Sequence, residues 1–190
     1  MIEKESMATI DLDAFVKKPG SPIQHMIDQK LLTAPIEAGE SFPIWILNGD
    51  VLKPKPGESM ELDLAKLATN SRRWHHQIKS AGEDLAYATS APLKEKSTSY
   101  SMKGIFRSSL ATKISRQFDW IAKNLDKELI IRLLMIPSHQ VVAFWILGKD
   151  EHQILVVKAP AGYGLKSGQL LNFKDLLPML AEPSIGIMDD

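Results

Sequence analysis

The stretch Leu129-Ile130-Ile131-Arg132-Leu133-Leu134-Met135-Ile136 decides the fold, together with the two apolar runs that follow it. After Pro137-Ser138-His139 comes Val141-Val142-Ala143-Phe144-Trp145-Ile146-Leu147, and after Gly148-Lys149-Asp150-Glu151 comes Ile154-Leu155-Val156-Val157. Runs this rich in β-branched and aromatic residues, bounded by turn formers, predict strands. The connections are too short to carry a crossover helix, so the expected arrangement is an antiparallel meander near 129–158. Its first strand is apolar on both sides, with Leu129, Ile131, Leu133 and Met135 on one and Ile130, Leu134 and Ile136 on the other. A half-exposed antiparallel sheet alternates apolar with polar residues, so both faces must be covered. Helices are expected on one face, and the N-terminal region or a second subunit on the other. Arg132, the lone charge in that strand, needs a partner if it is buried.

Two main helices are expected to supply the cover. Over 64–81, Leu64, Leu67, Ala68, Ser71, His75 and Ile78 fall on one side at a rotation of about 100° per residue, and Gly82 is a helix stop. Over 109–125, Ser108 or Ser109 caps a helix whose apolar stripe is Leu110, Ile114, Phe118, Ile121 and Leu125. Ser21 and Pro22 start a shorter helix through Ile23, Met26, Ile27 and Leu31, which Pro35 stops. Phe42–Leu47 reads as a strand running into Asn48-Gly49-Asp50, residues 85–91 as a short strand, Lys94–Ser101 as a polar loop and Asn172–Leu180 as a closing helix. Met60, Leu62 and Leu64 alternate as a second strand or helix entry, and Ile10 and Leu12 suggest an arm or edge strand. The expected fold class is therefore α+β. Residues 1–40 form an N-terminal arm with a short helix, and 41–190 a single α+β domain.

The 190 residues are 44% apolar and 24% charged, average values for a globular chain, which exclude a collagen-like or wholly disordered one. There is no cysteine, hence no disulfide framework, no thiolate nucleophile and no sulfur-built metal centre. No apolar run approaches the roughly 20 residues of a membrane-spanning helix, and Met1–Ser6 lacks the basic start of a secretory signal. A cytoplasmic protein with no membrane partner is expected.

The formal net charge of zero hides an asymmetry. Residues 1–65 carry 6 basic and 11 acidic groups, residues 66–123 carry 11 basic and 4 acidic, and residues 124–190 carry 6 and 8. The positive charge is concentrated in the middle third, where an anionic partner would bind, unless acidic and basic segments neutralise each other in the fold. On the helix expected over 64–81, Arg72, Arg73, His76 and Lys79 share an arc opposite the apolar stripe. On the second, Lys113, Arg116, Trp120 and Lys123 share one side. A Trp among cations suits an anion that also stacks, and it equally suits a protein interface anchor.

A second candidate is the loop Gly162, Gly164, Lys166, Ser167 and Gly168, which follows a strand and precedes a helix, the context of a phosphate cradle. Its spacing departs from a Walker loop, because Leu165 stands where glycine should precede the lysine. No histidine pair has metal-ligand spacing, and neither a metal nor a cofactor is expected. His75 reads as a core residue and Ser138-His139 as turn chemistry. Ser97-Thr98-Ser99-Tyr100-Ser101, flanked by lysines, reads as a solvated loop. The leading expectation is a soluble, non-enzymatic binding or adaptor domain using the basic, Trp-bearing helical surface for a protein or anionic partner. A protein partner or self-association stands first and nucleic acid second. The alternative is a small enzyme or ligand-binding domain with an anion pocket at Gly162–Gly168, and a homodimer through the sheet face is a third reading.

Overall fold

The computed structural model describes residues 21–52, 63–94, 100–125, 129–148 and 152–181. They include the helices α1 (Pro22–Asp28), α2 (Leu64–Leu67), α3 (Ser109–Asn124) and α4 (Phe173–Ala181). The strands are β1 (Ile36–Ile46), β2 (Thr69–Ser80), β3 (Glu83–Pro92), β4 (Tyr100–Arg107), β5 (Ile130–Ile136), β6 (Val141–Leu147), β7 (His152–Lys158) and β8 (Leu170–Asn172). They hydrogen-bond in the order β4-β3-β2-β1-β5-β6-β7-β8. β1 and β5 pair in parallel, whereas β2–β3, β3–β4, β5–β6, β6–β7 and β7–β8 are antiparallel. The class is mixed α and β on a mostly antiparallel sheet, and that sheet is larger than the expected meander. No helix among the described residues is long and apolar enough to cross a membrane. The expected Ile10–Leu12 and Met60–Leu62 elements lie outside the described residues, as do Glu95–Ser99 of the expected loop.

Contacts divide the chain into two compact units, Ile44–Ser71 with Gln117–Asp190, and Met1–Pro43 with Arg72–Arg116. The first of these holds the meander, with β5, β6 and β7 in the register that sets Arg132 opposite Trp145 and Trp145 opposite Ile154. On one face Leu134, Ile136, Ala143, Trp145, Ile154 and Val156 pack under Leu52, Leu64, Leu165 and the α4 residues Phe173, Leu176, Leu177 and Leu180. On the other, Leu133, Phe144, Ile146, Leu155 and Val157 are buried as well, and Phe118 of α3 lies over Phe144 with ring centroids 6.4 Å apart. Both faces are thus covered within one chain, which removes the apolar sheet face that motivated the homodimer reading.

In the other unit, α1 starts as expected, with Pro22 in its first turn and the Ser21 side chain accepting from the Gln24 amide at 3.1 Å. Ile23, Met26 and Ile27 pack with Ile78, Ala86 and Ala88. The helix ends at Asp28, so the buried leucine is Leu32, while the expected Leu31 is exposed. α3 also follows its expected stripe, with Ile114 and Ile121 buried and Ser108 Oγ accepting from the Leu110 amide at 3.1 Å.

The helix expected over 64–81 is not formed. α2 stops at Leu67, with Ala68 extended at φ −84° and ψ 140°, and the chain continues as β2. The misleading signal was the helical spacing of Leu64, Leu67, Ala68, His75 and Ile78. Past Ala68 it rests on few apolar residues, because β2 buries polar side chains: His75, His76, Gln77 and Ser80 are all buried with Trp74 and Ile78. Gly82 is not a helix stop but part of the hairpin between β2 and β3. Ala81 and Gly82 have φ of 51° and 85°, the positive pair that a tight two-residue hairpin turn requires. β4 begins inside the expected polar loop, because Tyr100–Arg107 carries Lys103, Gly104 and Arg107 and no apolar run.

Candidate functional site

The α3 face survives as a surface. Residues 113, 116, 120 and 123 recur at helical spacing and share one side of a single helix. Lys113, Arg116 and Lys123 are exposed, and Trp120 is 37% exposed, among the few large apolar side chains that are. Asn124 caps its backbone, donating Nδ2–H to the Trp120 carbonyl at 2.8 Å. The opposite side of the helix is fixed in each unit separately. Gln77 Nε2 donates to the Ala111 carbonyl at 2.8 Å and Ser115 Oγ donates to Asp84 Oδ2 at 2.7 Å. Farther along, Gln117 is buried and Phe118 faces Phe144.

The basic arc expected from Arg72, Arg73, His76 and Lys79 does not exist. Residues 69–80 are a strand and not a helix, so the four do not share the face of one helix, and Arg72 itself has φ 56°. Arg72 and Arg73 are exposed and Lys79 is half-buried in register with Asp84. His76 is a core residue and no part of a surface.

His76 is instead the middle of a hydroxyl–imidazole–hydroxyl chain across three strands. Its Nδ1 lies 2.8 Å from Ser41 Oγ on β1, and its Nε2 lies 2.9 Å from Ser90 Oγ on β3. Ser90 is fully buried and Ser41 half-buried. Next to it in sequence, His75 points to the opposite face, stacks on Tyr87 with centroids 4.5 Å apart, and has Nε2 3.4 Å from Gln77 Oε1. Burial pushes both imidazoles down to about 4, His75 with a further lowering from the neighbouring His76 and a partial opposing effect of Gln77. Both rings are neutral at neutral pH. His75 behaves as the expected core residue. Ser41 and Ser90 carried no signal in the sequence, because sheet register alone brings them to the same imidazole.

In the Gly162–Gly168 loop, Gly162 lies in a 3-10 turn, while Gly164 and Gly168 take φ of 65° and 84°. Lys166 and Ser167 are exposed. The amides of Gly164, Gly168 and Gln169 donate to the carbonyls of Ala161, Val156 and Lys166, and the Lys166 amide donates to Gln169 Oε1. Ser167 Oγ donates to the Val157 carbonyl at 2.9 Å. A phosphate cradle works by presenting unsatisfied amides outward, and these four are spent internally, three within the loop and that of Gly168 on β7.

Arg132 has its partner: the guanidinium lies 4.1 Å from the ring centroid of Trp45 and 4.7 Å from that of Trp145. Ser138 Oγ and His139 Nδ1 are 2.8 Å apart in an exposed turn beside Tyr163. Among the described residues no cluster of His, Asp and Glu could hold a metal ion. Comparison with protein-family models, curated proteins and solved structures finds no match for this chain.

Proposed function

We propose that this chain is a binding or adaptor domain whose α3 face, Lys113, Arg116, Trp120 and Lys123, docks an acidic segment of a protein partner. The observation that carries the reading is the indole of Trp120, 37% exposed on a helix whose inward apolar residues Ile114 and Ile121 are buried. Aromatic and arginine side chains at the centre of a contact supply most of the binding energy in protein interfaces. The flanking lysines add charge complementarity toward an acidic partner and speed its encounter. A nucleic acid would draw on the same cations, through phosphate contacts with a steep salt dependence.

The test is titration of the full chain with a Glu- and Asp-rich peptide carrying one leucine, followed by tryptophan emission and calorimetry. Binding that weakens tenfold or more in Trp120→Ala, the loss of about 1.4 kcal/mol or above typical of an interface anchor, supports the proposal. Failure of the peptide to bind, with a single-stranded oligonucleotide binding in its place and releasing steeply with salt, replaces it with the nucleic-acid reading. Binding of neither overturns both.

A further inference from the structure

We propose that Ser41 is a nucleophilic hydroxyl that takes the acyl group of a carboxylic ester, with His76 as its general base and Ser90 holding the imidazole. This site is independent of the α3 surface. A neutral imidazole has one N–H and one lone pair. The proposal assigns the N–H to Nε2, donated to Ser90 Oγ at 2.9 Å, which leaves the Nδ1 lone pair to accept the hydroxyl proton of Ser41 at 2.8 Å. Nucleophile within hydrogen-bond reach of a base, and base oriented by a third group, is the arrangement that activates a serine.

The three members lie on neighbouring strands β1, β2 and β3, which lock their relative positions, and positions on strands are held more closely than positions on loops. The chain of hydrogen bonds has one buried end and one accessible end: Ser90 is fully buried, His76 is buried and Ser41 is half-buried. Only Ser41 can meet a substrate. Beside the chain, α1 packs on Ile78, Ala86 and Ala88 through apolar side chains. Desolvation keeps His76 in the base form at neutral pH.

The step balances within the site. Ser41 Oγ bonds to the ester carbonyl carbon while its proton passes to His76 Nδ1. The carbon–oxygen bond to the alcohol then breaks, and the departing alcohol takes the proton back from Nδ1. Water, deprotonated by the same nitrogen, releases the carboxylic acid and restores the hydroxyl.

The probes are a fluorophosphonate and p-nitrophenyl acetate, applied to the full chain and read by intact mass and peptide mapping. A single adduct on Ser41 is expected, absent in Ser41→Ala. His76→Asn should slow labelling by about 10²- to 10⁴-fold, the share of a general base, and Ser90→Ala should slow it as well. His76→Asn changes a core position, so Ser90→Ala and the wild-type pH profile carry the test if that variant does not fold. Labelling of the wild type should be level from neutral pH upward and fall in acid as the imidazole takes a proton. No adduct on Ser41 in the folded wild type overturns the proposal, as does a Ser41 adduct whose rate is unchanged in Ser90→Ala and independent of acid.

Discussion

The guanidinium of Arg132 lies 4.1 Å from the ring centroid of Trp45 and 4.7 Å from that of Trp145, with the two indoles perpendicular and 5.3 Å apart. A charge in the middle of an apolar strand is thereby held by two electron-rich faces. Such contacts are worth about 0.5–1 kcal/mol when exposed and about 2 when desolvated. The planar guanidinium stacks where an ammonium cannot. Arg132→Lys is expected to lower stability by about 1 kcal/mol and Trp45→Ala by about 3, the latter adding the loss of a large aromatic body. Urea denaturation of both variants checks this, and an unchanged midpoint in Arg132→Lys would show the stack to be idle.

Acid should destabilise the fold through β2. His75 and His76 have native values of about 4 against 6.5 for the free side chain. Between those values the unfolded chain binds protons that the native one refuses, so stability is complete above about pH 6.5 and falls as pH drops toward 4. Each histidine contributes about 3 kcal/mol to that loss by pH 4, from 1.36 kcal/mol per pKa unit. Denaturation midpoints measured from pH 7.5 to 4 should fall steeply below 6.5, and His75→Phe should flatten part of the slope. A midpoint independent of pH across that window would contradict the burial of both rings.

Gly39 on β1 is expected to resist enlargement. A Cβ there would stand 2.8 Å from Gln77 Cβ and 3.1 Å from Asp84 Oδ1. Gln77 has little room to give way, because its side chain is buried and tied to the Ala111 carbonyl. Gly39→Ala should cost about 1–3 kcal/mol, the range of overpacking, measured by thermal unfolding. Gly82→Ala meets no atoms within 4 Å but is strained at its φ of 85°, so its cost of about 1–2 kcal/mol is that of the backbone alone.

Trp120→Ala, by contrast, should leave folding intact. Its indole is 37% exposed, so the loss should stay well below the about 3–5 kcal/mol of a fully buried tryptophan. Trp74 and Trp145 are buried, so the variant should also shift the remaining emission to the blue. A large drop in melting temperature would show the ring to be a packing element and remove the anchor on which the binding proposal stands.

Much of this protein was legible in the residues themselves. The meander followed from β-branched runs joined by connections too short for a crossover, and the need to cover it on two sides followed from Leu133 and Leu134 leaving on opposite faces. α1 and α3 were legible from Ser21-Pro22 and from the Leu110–Leu125 stripe, because capping chemistry and apolar periodicity are local. So was the exposed cluster on α3, which depends on the spacing within one helix. β2 was not legible. It buries His75, His76, Gln77 and Ser80, and a strand with polar residues on both faces has no alternation to read; only β1, β3 and the helices packed on them supply the partners that make such burial tolerable. The Ser41–His76–Ser90 chain exists solely because register aligns three strands whose members are far apart in sequence. Arg132 could be marked as needing a partner, but that the partner is a pair of indoles was decided by the pairing of β1 with β5 and β5 with β6. Local chemistry determined the elements that are amphipathic in themselves, and long-range pairing decided those whose burial depends on a neighbour.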